Sequence, residues 1–352
     1  MVKYKFIDLF CGIGGFHQVL KELGHECILA CDIDKACRIV YENNFKLKPV
    51  CNVKDIIPEE LKDFDIICAG FPCQAFSNGG NKKCFDDDRG LLFDEIIRIA
   101  KVKKPKFMFL ENVKHILKVD NGEVIKYIKN KINKTGYKLQ LFTLSPHKYG
   151  IPQQRERIYF VCVRNDIYKC DFELLHKEKK PNFEKFLDKN FDDKYKINND
   201  ILECLNAWDT LIKVFKPKEK ISPTILLNDF YKIENNEIKI NDLSKWKQEY
   251  LIKNQKLIEK YKHLFDKFYK KNKEILTKKS IYGQLDWQCG LIKDNDSIFN
   301  YFIQIRQSGI RIKKTDYFPT LVAIGQIPIY GKEKRYITPR ECARLQCFPE
   351  KI

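Results

Sequence analysis

The sequence predicts an α/β protein: a doubly wound sheet followed by a second, smaller domain. Three observations carry that reading. Up to about residue 165, short runs of β-forming apolar residues alternate with segments of helical spacing. The first of these runs, YKFIDLF, opens into the glycine-rich turn CGIGGF and then a helix. From about residue 166 the alternation gives way to lysine, asparagine and aromatic residues.

The elements follow in order. GFHQVLKELG has helical spacing at Phe16, Val19, Leu20 and Leu23 and stops at Gly24. ECILACDID is a second strand and KACRIVYENNF a second helix. FDIICAGF is a third strand, and its unbroken apolar run suits burial on both faces. RGLLFDEIIRIAKV is a helix with a lysine-rich end, favourable at the negative pole of its dipole. KFMFLENV is a fourth strand, VIKYIKNKINKTG a helix ending at Gly136, and YKLQLFTL and RIYFVCVR complete the sheet. In such sheets ligands bind outside the carboxyl ends of the strands. The reading sets domain limits at 1–165, 166–318 and 319–352. The middle part holds two helices around SKWKQEYLIKNQKLIEKYKHLFDKFYKKN, whose lysines read as a solvated face. In the last part FPTLVAI is a strand, and TPRECARLQCFP is a helix with Thr338 as N-cap, Pro339 at N1 and Glu341 at N3. This last segment is expected to return and pack on the first domain.

Composition narrows the classes. The chain of 352 residues is 44% hydrophobic, which supports a substantial core. No apolar run approaches the roughly 18 to 20 residues that cross a bilayer, and no signal peptide precedes the first strand. We therefore expect an intracellular, cytoplasmic protein. Its 14 cysteines read as reduced thiols. No Cys-x-x-Cys pair or His-rich motif argues for metal. The net charge of +18 fits either a basic solvated surface or a polyanion partner.

Several motifs carry chemistry. DLFCGIGGFH suits a ligand with a nucleotide part but departs from the dinucleotide fingerprint, since His17 stands where a third glycine would. Asp32, ending the second strand, is placed to accept from ribose hydroxyls. Cys73, in CAGFPCQAFS after the third strand, is either a buried thiol or a nucleophile whose thiolate is favoured at a strand end. Glu111 ends an apolar strand, where burial raises a carboxyl pKa and suits it to proton donation. Arg155 and Arg157, in PQQRERIYFV, supply cations.

In this order and spacing, FIDLFCGIGGF, GFPCQAFS, ENV, GIPQQRERIYFV and RYITPRECARLQCFP resemble the cytosine-C5 DNA methyltransferases of bacterial restriction–modification systems. The resemblance covers residues 4–165 and 303–350. It implies a Rossmann-like S-adenosylmethionine-dependent methyltransferase sheet with a target-recognition domain, acting on double-stranded DNA. By similarity Cys73 adds to C6 of a flipped cytosine, Glu111 holds and protonates N3, and Arg157 with Arg155 binds O2. S-adenosylmethionine is expected against Phe10, Gly12, Ile13 and Gly15. Asp32 would hold its ribose, Ile33 and Val53 its adenine, and Pro72 and Leu92 its methionine end. Gln74, Ser77, Lys82 and Lys83, on the loop after Cys73, are expected to touch DNA as that loop closes. Arg306, Arg311, Lys313 and Lys314 are expected to position phosphates rather than read bases.

Two departures from the family stand out. Asn52 replaces an aspartate near the adenine amino group; its amide oxygen can still accept. The family's closing Gly-Asn-x-Val segment and helix do not follow RECARLQCFP. A truncated product, a separate chain supplying that piece, and reduced activity all remain open. The expected protein is a monomer, with a cognate restriction endonuclease as partner. The alternatives are a tRNA cytosine-C5 methyltransferase and a catalytically impaired DNA-binding fragment.

Overall fold

The computed structural model describes residues 2–72, 91–174, 179–221, 223–322 and 325–350. Contacts divide the chain into one unit of Met1–Tyr149, Arg155–Lys179 and Gln346–Ile352, and another of Gly150–Gln154 and Lys180–Leu345.

The first unit runs β1 (Lys5–Leu9), α1 (Gly15–Glu22), β2 (Glu26–Cys31), α2 (Lys35–Phe45), β3 (Ile66–Gly70), α3 (Leu91–Lys103), β4 (Phe107–Val113), α4 (Glu123–Lys134), β5 (Tyr137–Leu144) and β6 (Arg157–Arg164). The strands form one sheet in the order β2-β1-β3-β4-β6-β5. β2, β1, β3 and β4 are parallel, and β6 runs antiparallel to both β4 and β5. The chain turns to opposite sides after β1 and β3, so their carboxyl ends flank the switch-point crevice of a doubly wound sheet. On one face Ile7, Ile67, Met108, Leu110 and Phe160 meet α3 and α4 through Phe93, Ile96, Ile128 and Ile132. On the other, Phe6, Ile66 and Cys68 pack with Leu20 of α1, and Ala30 with Tyr41 of α2. The two-residue alternation of strands therefore sends Met108, Leu110 and Asn112 into the first core and Phe107, Phe109 and Glu111 to the opposite face.

The second unit contains α5 (Asn199–Ile212), β7 (Ile225–Leu226), α6 (Leu227–Glu234), α7 (Lys245–Lys260), α8 (Lys262–Lys278), β8 (Gln284–Gln288), β9 (Phe302–Arg306), β10 (Gly309–Lys313), β11 (Ile329–Tyr330), β12 (Arg335–Tyr336) and α9 (Pro339–Arg344). Its sheet has the order β12-β11-β9-β10-β8-β7. α7 and α8 are the two lysine-rich helices of the sequence reading. They bury Leu251, Ile258, Phe265 and Leu276 and leave the lysines outside.

Two expectations about the last part change. FPTLVAI is no strand over its described residues: Phe318 makes an isolated bridge to Gln153, and 319–322 are irregular. Pro319 lacks the N–H that a ladder needs. Residues 319–345 also group with the second unit, which extends from residue 180, and only 346–352 group with the first. The cause is local packing. Ile337 and Leu345 fill a cluster with Phe302, Phe318 and Tyr330. Arg335 and Glu341, both fully buried, form a two-pronged pair at 2.8 Å on each prong. The N-cap of α9 is as expected: the Glu341 N–H donates to Thr338 Oγ1 at 3.1 Å, and the Thr338 N–H donates back to Glu341 Oε2 at 2.6 Å. Among the described residues no helix is long and apolar enough to cross a membrane.

Candidate active site

The glycine turn after β1 is tightly wound. Phe10 and Gly12 both have φ 54° and Gly14 has φ 95°. A phenylalanine in the left-handed region costs on the order of 1 kcal/mol, and such strain collects at ligand sites. Asp32 clamps this turn to the end of β2: Gly12 N–H donates to its Oδ2 at 2.7 Å and Asp34 N–H to its Oδ1 at 2.8 Å. A Cβ built on Gly12 or Gly15 meets nothing within 4 Å, so both open on to unfilled space. Ile33, next along, is 76% exposed although it is a large apolar residue. A turn with open glycines, a carboxylate at the strand end and a bare apolar side chain fits the adenosine part of S-adenosylmethionine. Ile13, Pro72 and Leu92 are half-buried, whereas Val53 is buried. Asn52 Oδ1 already accepts from Lys54 N–H at 3.1 Å, capping its own turn, so one of its lone pairs is committed. Behind the turn His17 bonds Tyr41 at 2.6 Å, and burial pulls its pKa down to about 4.

Glu111 faces the same crevice. Its neighbour across β3 is Gly70 and across β6 is Tyr159. A carbon added to Gly70 would lie 3.7 Å from Glu111 Oε2 and 4.0 Å from the Phe10 carbonyl oxygen. Gly70 thus brings the glycine turn and the carboxylate to one opening. Because β6 runs antiparallel to β4, its first residue, Arg157, lies opposite Val113 at the carboxyl end of β4. Its Nε donates to Glu111 Oε1 at 2.8 Å. Burial raises the Glu111 pKa, and the charges of Arg157 and Arg155 oppose that rise without cancelling it. The apolar surroundings are visible beyond Tyr159, where Phe109, Phe142 and Val161 line a hollow of about 560 Å³. Burial, and then the like charge of Arg157, draw the Arg155 pKa down. The Arg155 N–H is held by Ser145 Oγ at 3.1 Å.

Cys73, Gln74, Ser77, Lys82 and Lys83 lie outside the described residues; Pro72 is the last described before them. One residue near that exit escaped the sequence reading. Asn112, 2% exposed, donates from Nδ2 to the Phe71 carbonyl at 3.0 Å and accepts from Val113 N–H at 2.8 Å. It ties the end of β4 to the backbone just before Pro72. The signal was present in ENV, where an amide follows the acid on the core side of the strand.

In the second unit Arg306 ends β9, and Arg311 and Lys313 alternate along β10. Arg311 Nε pairs with Asp286 Oδ2 on β8 at 2.6 Å, a partner 25 residues away that no local pattern shows.

A family model described as C-5 cytosine-specific DNA methylase matches residues 4–351. Among curated relatives, type II methyltransferase M.HhaI of Haemophilus parahaemolyticus is 46% identical over 170 residues, covering 48% of this chain and 52% of that one. M.BanI of Aneurinibacillus aneurinilyticus is 30% identical over 393 aligned positions, covering 99% of this chain and 89% of that one. The chain spans about half the length of the first curated relatives it matches. Of solved structures, Spodoptera frugiperda DNMT2 matches with a TM-score of 0.50 at 27% identity, covering 58% of this chain and 66% of that one. A prophage-encoded E. coli protein has the same fold, with a TM-score of 0.57 at 20% identity over 98% of this chain and 89% of that one.

Proposed function

Since this chain belongs to the C-5 cytosine-specific DNA methylase family, we propose that it methylates C5 of cytosine in double-stranded DNA. The observation that carries the reading is Glu111: a half-buried carboxyl with raised pKa, paired to Arg157 and bordering, with the Phe10 carbonyl of the glycine turn, the space over Gly70. The first unit is the catalytic and cofactor-binding part, and the second is the target-recognition part.

Cytosine C5 is part of an aromatic ring and a poor nucleophile. Addition of the Cys73 thiolate to C6 breaks that aromaticity and makes C5 enamine-like, splitting one hard step into two. Glu111, whose pKa burial raises, donates a proton to N3 as charge develops there. Arg157 and Arg155 hold O2 and fix the ring against the thiol. S-adenosylmethionine, when bound, supplies the methyl group as an electrophile. Phe10, Gly12, Ile13, Gly15, Asp32, Ile33, Asn52 and Val53 would hold its adenosine end, and Pro72 and Leu92 its methionine end. Water then takes the C5 proton, the C5–C6 double bond re-forms as the C6–S bond breaks and Cys73 leaves as thiolate, and the N3 proton returns to Glu111. Flipping the base costs a few kcal/mol, which contacts from Gln74, Ser77, Lys82 and Lys83 offset, while Arg306, Arg311 and Lys313 meet the duplex. The partners of this reading are double-stranded DNA and a cognate restriction endonuclease, and the protein acts as a cytoplasmic monomer.

The test is methyl transfer from labelled S-adenosylmethionine to duplex DNA and to tRNA. Transfer to DNA alone is expected, and transfer to tRNA alone would replace the reading. Cys73→Ser should abolish turnover while DNA binding persists. A covalent adduct with DNA carrying 5-fluorocytosine should map to Cys73.

A further inference from the structure

The sheet of the second unit has two unlike faces. Ile303, Ile310, Ile312, Leu285 and Trp287 point into its core. The opposite face carries Gln304 and Arg306 from β9, Arg311 and Lys313 from β10, and Asp286 from β8. Gln304, Arg311 and Asp286 lie in one row across three strands. The cluster around Phe302 and Phe318 covers one end of this face, and the polar side chains hold the rest. Two of the three cations on this face, Arg306 and Lys313, have no ion-pair partner among the described residues. Burial and the charge of Arg311 lower the pKa of both Arg306 and Lys313, so the face as a whole favours an anionic polymer.

Arg311 differs from them. Its Nε is taken by Asp286 at 2.6 Å, with the arginine side chain 27% and the aspartate 14% exposed. Two consequences follow. The carboxylate fixes the plane of the guanidinium and leaves both Nη groups as a forward fork. It also makes the pair neutral overall, which removes the counterion-release gain of a phosphate contact and sets a negative charge against an approaching phosphate. A neutral pair of acceptors suits such a fork better, and the major-groove edge of guanine offers one in O6 and N7.

We propose that Arg311, aimed by Asp286, reads a guanine edge in the DNA target, while Arg306 and Lys313 hold the flanking phosphates. The inference rests on the DNA-directed reading above and names its specificity-determining residue; Asp286 is a positioning residue.

The test is affinity selection of a randomised duplex library by the full chain, wild type against Arg311→Gln and Asp286→Asn. Wild type is expected to enrich a motif with a fixed G·C pair. Arg311→Gln should lose about ten- to hundredfold discrimination at that one pair while the other positions stand. Asp286→Asn should weaken the same position in part. It also carries the test should Arg311→Gln fail to fold, as judged by tryptophan fluorescence. An unchanged motif in the variants, with affinity lowered evenly and the salt slope reduced by about one, would make Arg311 a phosphate contact and overturn the proposal. So would a wild type that enriches no motif. An enriched motif without methyl transfer from labelled S-adenosylmethionine would leave this inference standing and sink the proposed reaction instead.

Discussion

Replacing Asn112 by alanine should loosen the first unit and leave the second untouched. The side chain is 2% exposed and makes two hydrogen bonds, to the Phe71 carbonyl at 3.0 Å and from Val113 N–H at 2.8 Å. Truncation leaves a buried acceptor and a buried donor without that partner, each costing about 1–3 kcal/mol. Partial relaxation brings the expected loss to roughly 2–4 kcal/mol, a large share of the 5–15 kcal/mol typical of a domain. The molecule offers its own control. All three tryptophans, Trp208, Trp246 and Trp287, are in the second unit. In urea, far-UV circular dichroism should show an early transition in Asn112→Ala, while tryptophan fluorescence keeps the wild-type midpoint. Asn112→Asp preserves shape but faces the Phe71 carbonyl with an acceptor. Its carboxyl should have a raised pKa in the folded state, so its stability relative to wild type should fall further as pH rises through that value. A loss below about 0.5 kcal/mol in Asn112→Ala, or equal shifts in both signals, would refute the assignment of Asn112 as the tie before Pro72. At temperatures where the variant stays folded, methyl transfer should fall more than cofactor binding.

Three further outcomes are expected. Glu111→Gln should lower turnover by about 10²- to 10⁴-fold with DNA binding retained. Because burial raises the Glu111 pKa and the acid form is the donor, wild-type single-turnover rates should fall as pH rises through that pKa, and this limb should vanish in the glutamine variant. Gly14→Ala places a Cβ 2.2 Å from Phe45 Cε2 at φ 95°; a stability loss of about 1–3 kcal/mol and weaker S-adenosylmethionine binding by calorimetry should follow. Glu341→Ala leaves the fully buried Arg335 with Glu333 as its remaining carboxylate, Nε to Oε2 at 2.6 Å, and should cost somewhat less than the roughly 3–5 kcal/mol of an unpaired buried charge by tryptophan-monitored unfolding, whereas replacing Arg335 and Glu341 together with apolar residues should cost less still.

The first sheet was readable because its punctuation is local. The segments KACRIVYENNF, YKLQLFTL and RIYFVCVR became α2, β5 and β6 over the same residues, and Gly24 takes the left-handed φ of 86° that a helix stop needs. Glu111, Arg157 and the glycine turn could be brought together on paper because a doubly wound sheet sends its functional ends to one edge. The failures have non-local causes. FPTLVAI has strand composition, but only its spatial neighbours decide whether it pairs. The home of α9 depends on Arg335 meeting Glu341 and on Leu345 meeting Phe302, contacts that the helix pattern does not encode. The partnership of Asp286 with Arg311 depends on β8 and β10 lying side by side. Asn112 was passed over because an amide inside an apolar strand gives no sign of which carbonyl it will meet.

The reversed direction of β6 has a consequence for anyone who would re-engineer this chain. The connection from Val113 to Arg157 spans two other elements, α4 and β5, so its length carries no geometric information about the pair it joins. What matters is parity. Lengthening the turn between α4 and β5 should be tolerated, because it leaves the β5–β6 register and the Ser145–Arg155 tie intact, but one extra residue within β6, just after Arg157, would carry the guanidinium out of step with the acid it holds. Insertion scanning of the two stretches ought therefore to show activity retained in the first and lost at a single residue in the second.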